Sequence, residues 1–128
     1  MAASLGSHVL DNGISRLDAD STHIVVCDAE PTAYSLASVG AANTLGYKSF
    51  GAGGAFGSPG AGAPNGRKVD SNAITDGTIT TGGTAKWWAA IDSGNSRLDA
   101  HGSLSSSQVV ASGNTFSLAS FTIRIPDQ

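Results

Sequence analysis

At 128 residues the chain suits one domain, long enough to bury a core and too short to carry a second. Only 13% of its residues are charged and small residues abound, a surface suited to packing against copies of itself or a larger assembly. A net charge of −3 with seven scattered Lys and Arg argues against a nucleic-acid groove, and no stretch approaches the length of an apolar membrane-spanning helix.

Residues 1–7 (MAASLGS) have neither a basic start nor an apolar run, so the expectation is synthesis and folding in a cytoplasm without a signal peptide. Residues 1–21 form an N-terminal helical segment. A helix over residues 2–11 would place Leu5, Val9 and Leu10 on one side and stop at Asn12-Gly13; alternatively it continues through Gly13, because Leu10, Ile14 and Leu17 keep the i, i+4, i+7 pattern. Residues 22–28 (THIVVCD) are β-branched and apolar on both faces, which predicts a central strand ended by Glu30-Pro31. The lone Cys27 in it reads as a buried small hydrophobe. Residues 31–43 hold Tyr34, Leu36 and Val39 on a loop or a single helical turn, and residues 45–50 make a short strand.

Residues 51–66 (GAGGAFGSPGAGAPNG) are a Gly-rich arm with seven glycines, two prolines and Phe56 as its one anchor. Such a segment builds no core by itself, so it lies either across its own sheet or against a neighbouring subunit. Strands follow over residues 67–73 and 78–80, about a tight turn signalled by Asp76-Gly77.

Residues 84–104 (TAKWWAAIDSGNSRLDAHGSL) fold into one hairpin about Ser93-Gly94-Asn95-Ser96, with Gly94-Asn95 supplying positive φ. Asp92 then faces Arg97, Ile91 faces Leu98, Ala89 faces Ala100, Trp88 faces His101 and Trp87 faces Gly102. One face becomes Ala85, Trp87, Ala89 and Ile91 against Leu98, Ala100, Gly102 and Leu104, a core face. The other, with Trp88 and His101 among charged residues, faces water or a neighbouring molecule, or else both faces of the hairpin are covered within the fold. Short strands over 108–111 and 115–119 join at Ser112-Gly113-Asn114, and residues 121–125 form a last strand ended by Pro126. The whole predicts a single all-β domain over residues 1–128, an antiparallel β-sandwich or jelly-roll-like barrel of about eight strands with one short N-terminal helix.

The chain holds no G-x-S-x-G elbow, Ser105-Ser106-Ser107 is a polar turn, and His8, His23 and His101 fall in no metal-ligand spacing. Asp18-Ala19-Asp20-Ser21 lacks the glycine and distal glutamate of a calcium loop. The arm lacks the G-K-[ST] ending of a phosphate loop. The expectation is a protein that is not an enzyme and uses no cofactor or metal, with Trp88 beside His101 as the best contact site, where an aromatic can stack on a sugar or fill a partner's pocket.

The strings PNGRKV (64–69), AITDGTIT (73–80), the W-x-A-x-x-D-x-x-N-S-R-L run ending at Leu98, GSLSSSQ (102–108), SGNTFSL (112–118), IPD (125–127) and, upstream, CDAEPTAYSLAS (27–38) resemble a group of small β-rich virion structural proteins of tailed bacteriophages and prophages. The likeness spans residues 22–127, and the arm is richer in Gly and Ala than that group. The resemblance implies a capsid decoration or cement protein on the virion surface, whose partners are the major capsid protein and copies of itself as a trimer or dimer. It implies no nucleic-acid or membrane partner. Docking would use the N-terminal segment or the arm, and the contact residues would be Trp88, His101, Phe56, Arg67 and Lys68. The competing reading is a tail fibre, baseplate or adhesion module that binds a host surface glycan.

Overall fold

A computed structural model of the chain describes residues 7–51, 54–62 and 66–125, with side chains from Gly13 onward. Parts of the predicted helix, of the Gly-rich arm and of the PNGRKV and IPD strings lie outside the described residues, as does Pro126. Among the described residues the order is α1 (Ser7–Asp20), β1 (His23–Cys27), α2 (Tyr34–Ala37), β2 (Thr44–Ser49), β3 (Gly60–Ala61), β4 (Arg67–Asp70), β5 (Ile74–Ile79), β6 (Gly83–Asp92), β7 (Arg97–Val110), β8 (Thr115–Leu118) and β9 (Thr122–Ile125). The all-β antiparallel class expected from the sequence is the observed one.

The strands form a six-stranded sheet in the order β7-β6-β1-β2-β5-β8, curled into half a barrel, and a three-stranded sheet β3-β4-β9. Strand β1 lies inside the large sheet between β2 and β6, which explains its unbroken apolar run. Its Ile24 and Val26 enter the main core, while Val25 and Cys27 enter a second cluster on the sheet's other face. The main core joins Leu45, Ile79 and Ala90 of the large sheet to Val69 of the small one, with Phe56, Ile74 and Phe116 also inside. The helix runs through Gly13, the second of the two sequence expectations, and lays Ile14 and Leu17 into this core. Residues 34–37 do form a single helical turn, which covers the second cluster through Ala37.

Two local expectations are corrected. Asp76-Gly77 is not a turn but lies inside β5, where the pairing with β8 shifts register between Ile74 and Gly77. A Cβ at Gly77 would collide with the Phe116 ring, so this glycine is the socket over which a core aromatic lies. In the hairpin, Ser96 rather than Gly94-Asn95 takes the positive φ, at 53°. The buried Asp92 closes the turn instead, accepting hydrogen bonds from the Asn95 side-chain amide at 2.8 Å and from Arg97 at 3.3 Å.

The described part of the Gly-rich arm lies across its own fold. Ala55 and Phe56 are buried, Phe56 bridges to Ser71, and β3 pairs with β4. Asn72 donates its backbone N–H to the Ala55 carbonyl at 2.9 Å and its side-chain amide to the Gly54 carbonyl. The physical reason is the single aromatic: with no other large apolar group in the segment, burying Phe56 at home satisfies both the ring and the backbone on either side of it.

Candidate functional site

The hairpin holds its expected register only at the turn. Asp92 pairs with Arg97 and Ile91 with Leu98, but Ala90 then pairs with Ala100, leaving Asp99 as an extra residue on β7. The Ser21 hydroxyl donates to this bulged Asp99 at 2.8 Å, fastening the end of α1 to the strand. Because side chains alternate between faces, one residue inserted in β7 reverses the assignments of β7 beyond it and leaves those of β6 as they were. Trp88 therefore faces Gly102, and Ala89 faces His101. The predicted Trp88–His101 neighbourhood is replaced by two separate ones.

Trp88 turns inward. Its ring lies 4.1 Å from Phe121, centroid to centroid, and Phe121 meets Phe56 edge-on at 6.1 Å. Gly102 makes room for the indole: a Cβ there would stand 2.9 Å from Trp88 Nε1 and 3.0 Å from Cε2 and Cζ2. His101 lies on the outer face beside Trp87, with ring centroids 6.5 Å apart, and its Nε2 is 3.4 Å from Glu30 Oε1. Trp87 packs there with Tyr34, Tyr47 and Leu98 over the second cluster. The β6 face expected to be core, Trp87, Ala89 and Ile91, carries the smaller second cluster, and the face with Trp88 and Ala90 meets the main core.

The other predicted contact residues are dispersed. Phe56 is 2% exposed and unavailable to a partner. Arg67 and Lys68 sit on β4 in the middle of the small sheet, and Lys68 Nζ pairs with Asp70 at 2.7 Å. Asp70 also accepts from Thr122, and with the Lys68 hydrogen bond foremost its carboxyl is held below the usual carboxylate range. These residues tie β4 to β9 and do not converge with Trp88 or His101.

A site that sequence reasoning missed lies at the far end of β7. Between Trp87, paired with Ser103, and Ala85, paired with Gln108, four residues of β7 oppose Lys86 alone. This wide bulge lifts the strand off its neighbour and opens a cleft of about 300 Å³. Trp88, Leu104, Leu118 and Phe121 form its apolar lining, and Ser103, Ser105, Ser106 and Gln108 its polar rim. Gln108 donates across the opening to the Ser117 carbonyl at 3.5 Å, so the two edges of the curled sheet approach each other here. Residues 102–123 contain no ionisable side chain, and none lines the cleft. The legible signal was this charge-free run that begins after His101.

The site can bind by shape, apolar contact and neutral hydrogen bonding; it holds no group for proton transfer. Burial pushes the Cys27 thiol up to about 11 and lowers the His23 imidazole below its ordinary value. Among the described residues no group of three or more His, Cys, Asp or Glu is placed to hold a metal ion, and no helix is long and apolar enough to cross a membrane. No protein-family model matches the chain, and no characterised protein or solved structure is significantly similar to it.

Proposed function

We propose that this chain is a structural protein of a bacteriophage particle that decorates the outer shell and stabilises it by bridging capsid subunits. The observation that carries the reading is the uncharged edge and cleft of residues 102–123, joined to the phage-like strings that make up the hairpin, the bulge and β8. A region of that length with no ionisable group suits packing against another protein surface better than it suits chemistry. The sparse charge of the whole chain suits a component that functions inside an assembly.

The described part of the arm is committed to its own sheet, so on this reading docking falls to the β7 side of the domain or to the N-terminal segment and not to Phe56. Quantifying the chain in purified particles from a bacterium that carries its gene tests the reading. Copy number comparable to the shell protein, and shells that burst at lower temperature when the gene is deleted, are the expected results. Absence from particles refutes it.

A second reading, a tail module that binds a host glycan, draws on the cleft itself, whose serine hydroxyls and Gln108 amide offer neutral hydrogen bonds. It predicts a few copies at the tail tip, and loss of adsorption with intact heads on deletion.

A further inference from the structure

We infer that the outer face of β2, β1, β6 and β7 binds an uncharged oligosaccharide, whose rings lie on Trp87, Tyr47 and Tyr34 and whose hydroxyls bond to Glu30 and His101. The strand registers lay this face out residue by residue. Tyr47 stands beside Val25, Val25 beside Ala89 and Ala89 beside His101, a row that crosses the four strands over three strand spacings, roughly 14 Å. One step along, Cys27 stands beside Trp87. The row is large at both ends and small in the middle. Val25, Cys27 and Ala89 are nonetheless wholly buried, beneath α2 and the rings of Tyr34, Tyr47 and Trp87, each of them only half-buried itself. A ring that keeps water off a neighbouring alanine or valine while part of it stays wet lies across the sheet, with one face toward solvent.

The occupant follows from that chemistry. The C–H bonds on the flat side of a sugar ring carry slight positive charge and rest on the negative face of an aromatic ring, while the hydroxyls stand around the rim. Polar groups are placed here for such a rim. His101 lies beside Trp87, ring centroids 6.5 Å apart, and its Nε2 is 3.4 Å from Oε1 of Glu30, whose side chain is 51% exposed. A carboxylate accepts from hydroxyls at both of its oxygens, and an imidazole adds a further donor or acceptor. An apolar protein surface seated on this face would bury the same carboxylate and imidazole without partners, at a cost that a hydroxylated ligand avoids. A nucleotide would also stack on the rings, but its phosphates would meet Glu30 and a net charge of −3. The face lies on the opposite side of β6 from the cleft, and the inference stands apart from the particle reading.

Proton–nitrogen correlation NMR of the full chain tests this directly, because the two tryptophans sit on opposite faces of β6 and their indole signals report separately. Cellohexaose, maltohexaose and chitohexaose are the probes. At least one of them is expected to move the Trp87 indole signal saturably, the signal being identified by its absence from Trp87→Phe, and to leave the Trp88 indole in place. Glu30→Ala should need at least about tenfold more of that saccharide, since it loses hydrogen bonds to a charged acceptor. Its melting temperature stays at the parent's, because the Glu30 side chain is exposed. A Trp87 signal that none of the three moves, or an affinity unchanged in Glu30→Ala, overturns the inference. So does movement of the Trp88 indole alone, which puts the saccharide in the cleft, as the tail-module reading has it. Movement of Trp87 by choline and by none of the saccharides overturns it as well, since the rings then hold a cation. Saccharide binding through Trp87, by a chain missing from particles, upholds the inference while removing the virion reading.

Discussion

Trp88→Ala is expected to cost the domain more than Trp87→Ala, the reverse of the order expected from the sequence, because the main core lies on the Trp88 face of β6. Trp88 is half-buried against the main core, set over Gly102 with its ring 4.1 Å from that of Phe121. Burial of an indole removes roughly 150–250 Å² from water, and at about 25 cal/mol per Å² this corresponds to about 4–6 kcal/mol. The alanine retains part of that, and Trp88 still borders the cleft, so a loss of about 3 kcal/mol is expected, at the low end for tryptophan truncation in a core. Trp87, also half-buried, packs with Tyr34, Tyr47, Leu98 and His101 over the smaller second cluster, which sets its truncation at about 1–2 kcal/mol.

For a domain of this size the two figures correspond to melting-point losses of about 10–15 °C and about 4–8 °C. Thermal and urea denaturation of both variants would measure them, and a double-mutant cycle with Phe121→Ala should return about 1 kcal/mol of coupling from the ring contact. If Trp87→Ala lowers the melting point as much as Trp88→Ala, or the coupling to Phe121 vanishes, the inward placement of Trp88 is wrong.

Gly102→Ala should destabilise by about 1–3 kcal/mol in a melting experiment, because the indole it meets is held on its other side by Phe121. Gly94→Ala in the exposed hairpin turn, whose Cβ would meet only Asp92 Oδ1 at 3.6 Å, should change stability by less than about 0.5 kcal/mol. Stability should rise slightly as pH falls from neutral and then drop in acid. Burial raises the Asp99 carboxyl, against the Ser21 hydrogen bond, so protonating it on the way down relieves an unfavourable charge and adds stability. The Asn95 amide foremost, with Arg97, lowers Asp92, so its contribution is complete above the unfolded value near ~4 and is lost as pH falls through the folded one. Denaturation midpoints across pH should lose the first rise in Asp99→Asn and much of the acid drop in Asp92→Asn; a pH profile unchanged by both substitutions would remove the assignment.

Elements whose physics is local were legible in the sequence. The both-faced apolar run of β1 allowed nothing but a central strand, and Leu10, Ile14 and Leu17 carried the helix through Gly13 at about the 1 kcal/mol that an interior glycine costs. The antiparallel class followed from short apolar segments set between turn residues. The candidate site was half legible. Trp88 belongs to it, but His101, Phe56, Arg67 and Lys68 do not, and its serine rim read as a turn.

What only the tertiary structure decided traces to the two bulges of β7 and to which face of β6 the main core covers. A bulge has no sequence signature when, as here, no glycine marks it. Asp99 is extruded because the end of α1 offers it Ser21, and that partner is 78 positions away in the chain. Once Asp99 is out of the ladder, the residues of β7 beyond it change face, which carries His101 away from Trp88 and opposite Ala89, while Trp87, Ala89 and Ile91 keep their shared face of β6. By itself, then, the sequence determined most of the strand segments and that the domain is antiparallel; the packing of Ile14, Leu17, Phe56 and Val69 decided which tryptophan faces the main core, because alternation defines the two faces of a strand and not which of them distant segments cover.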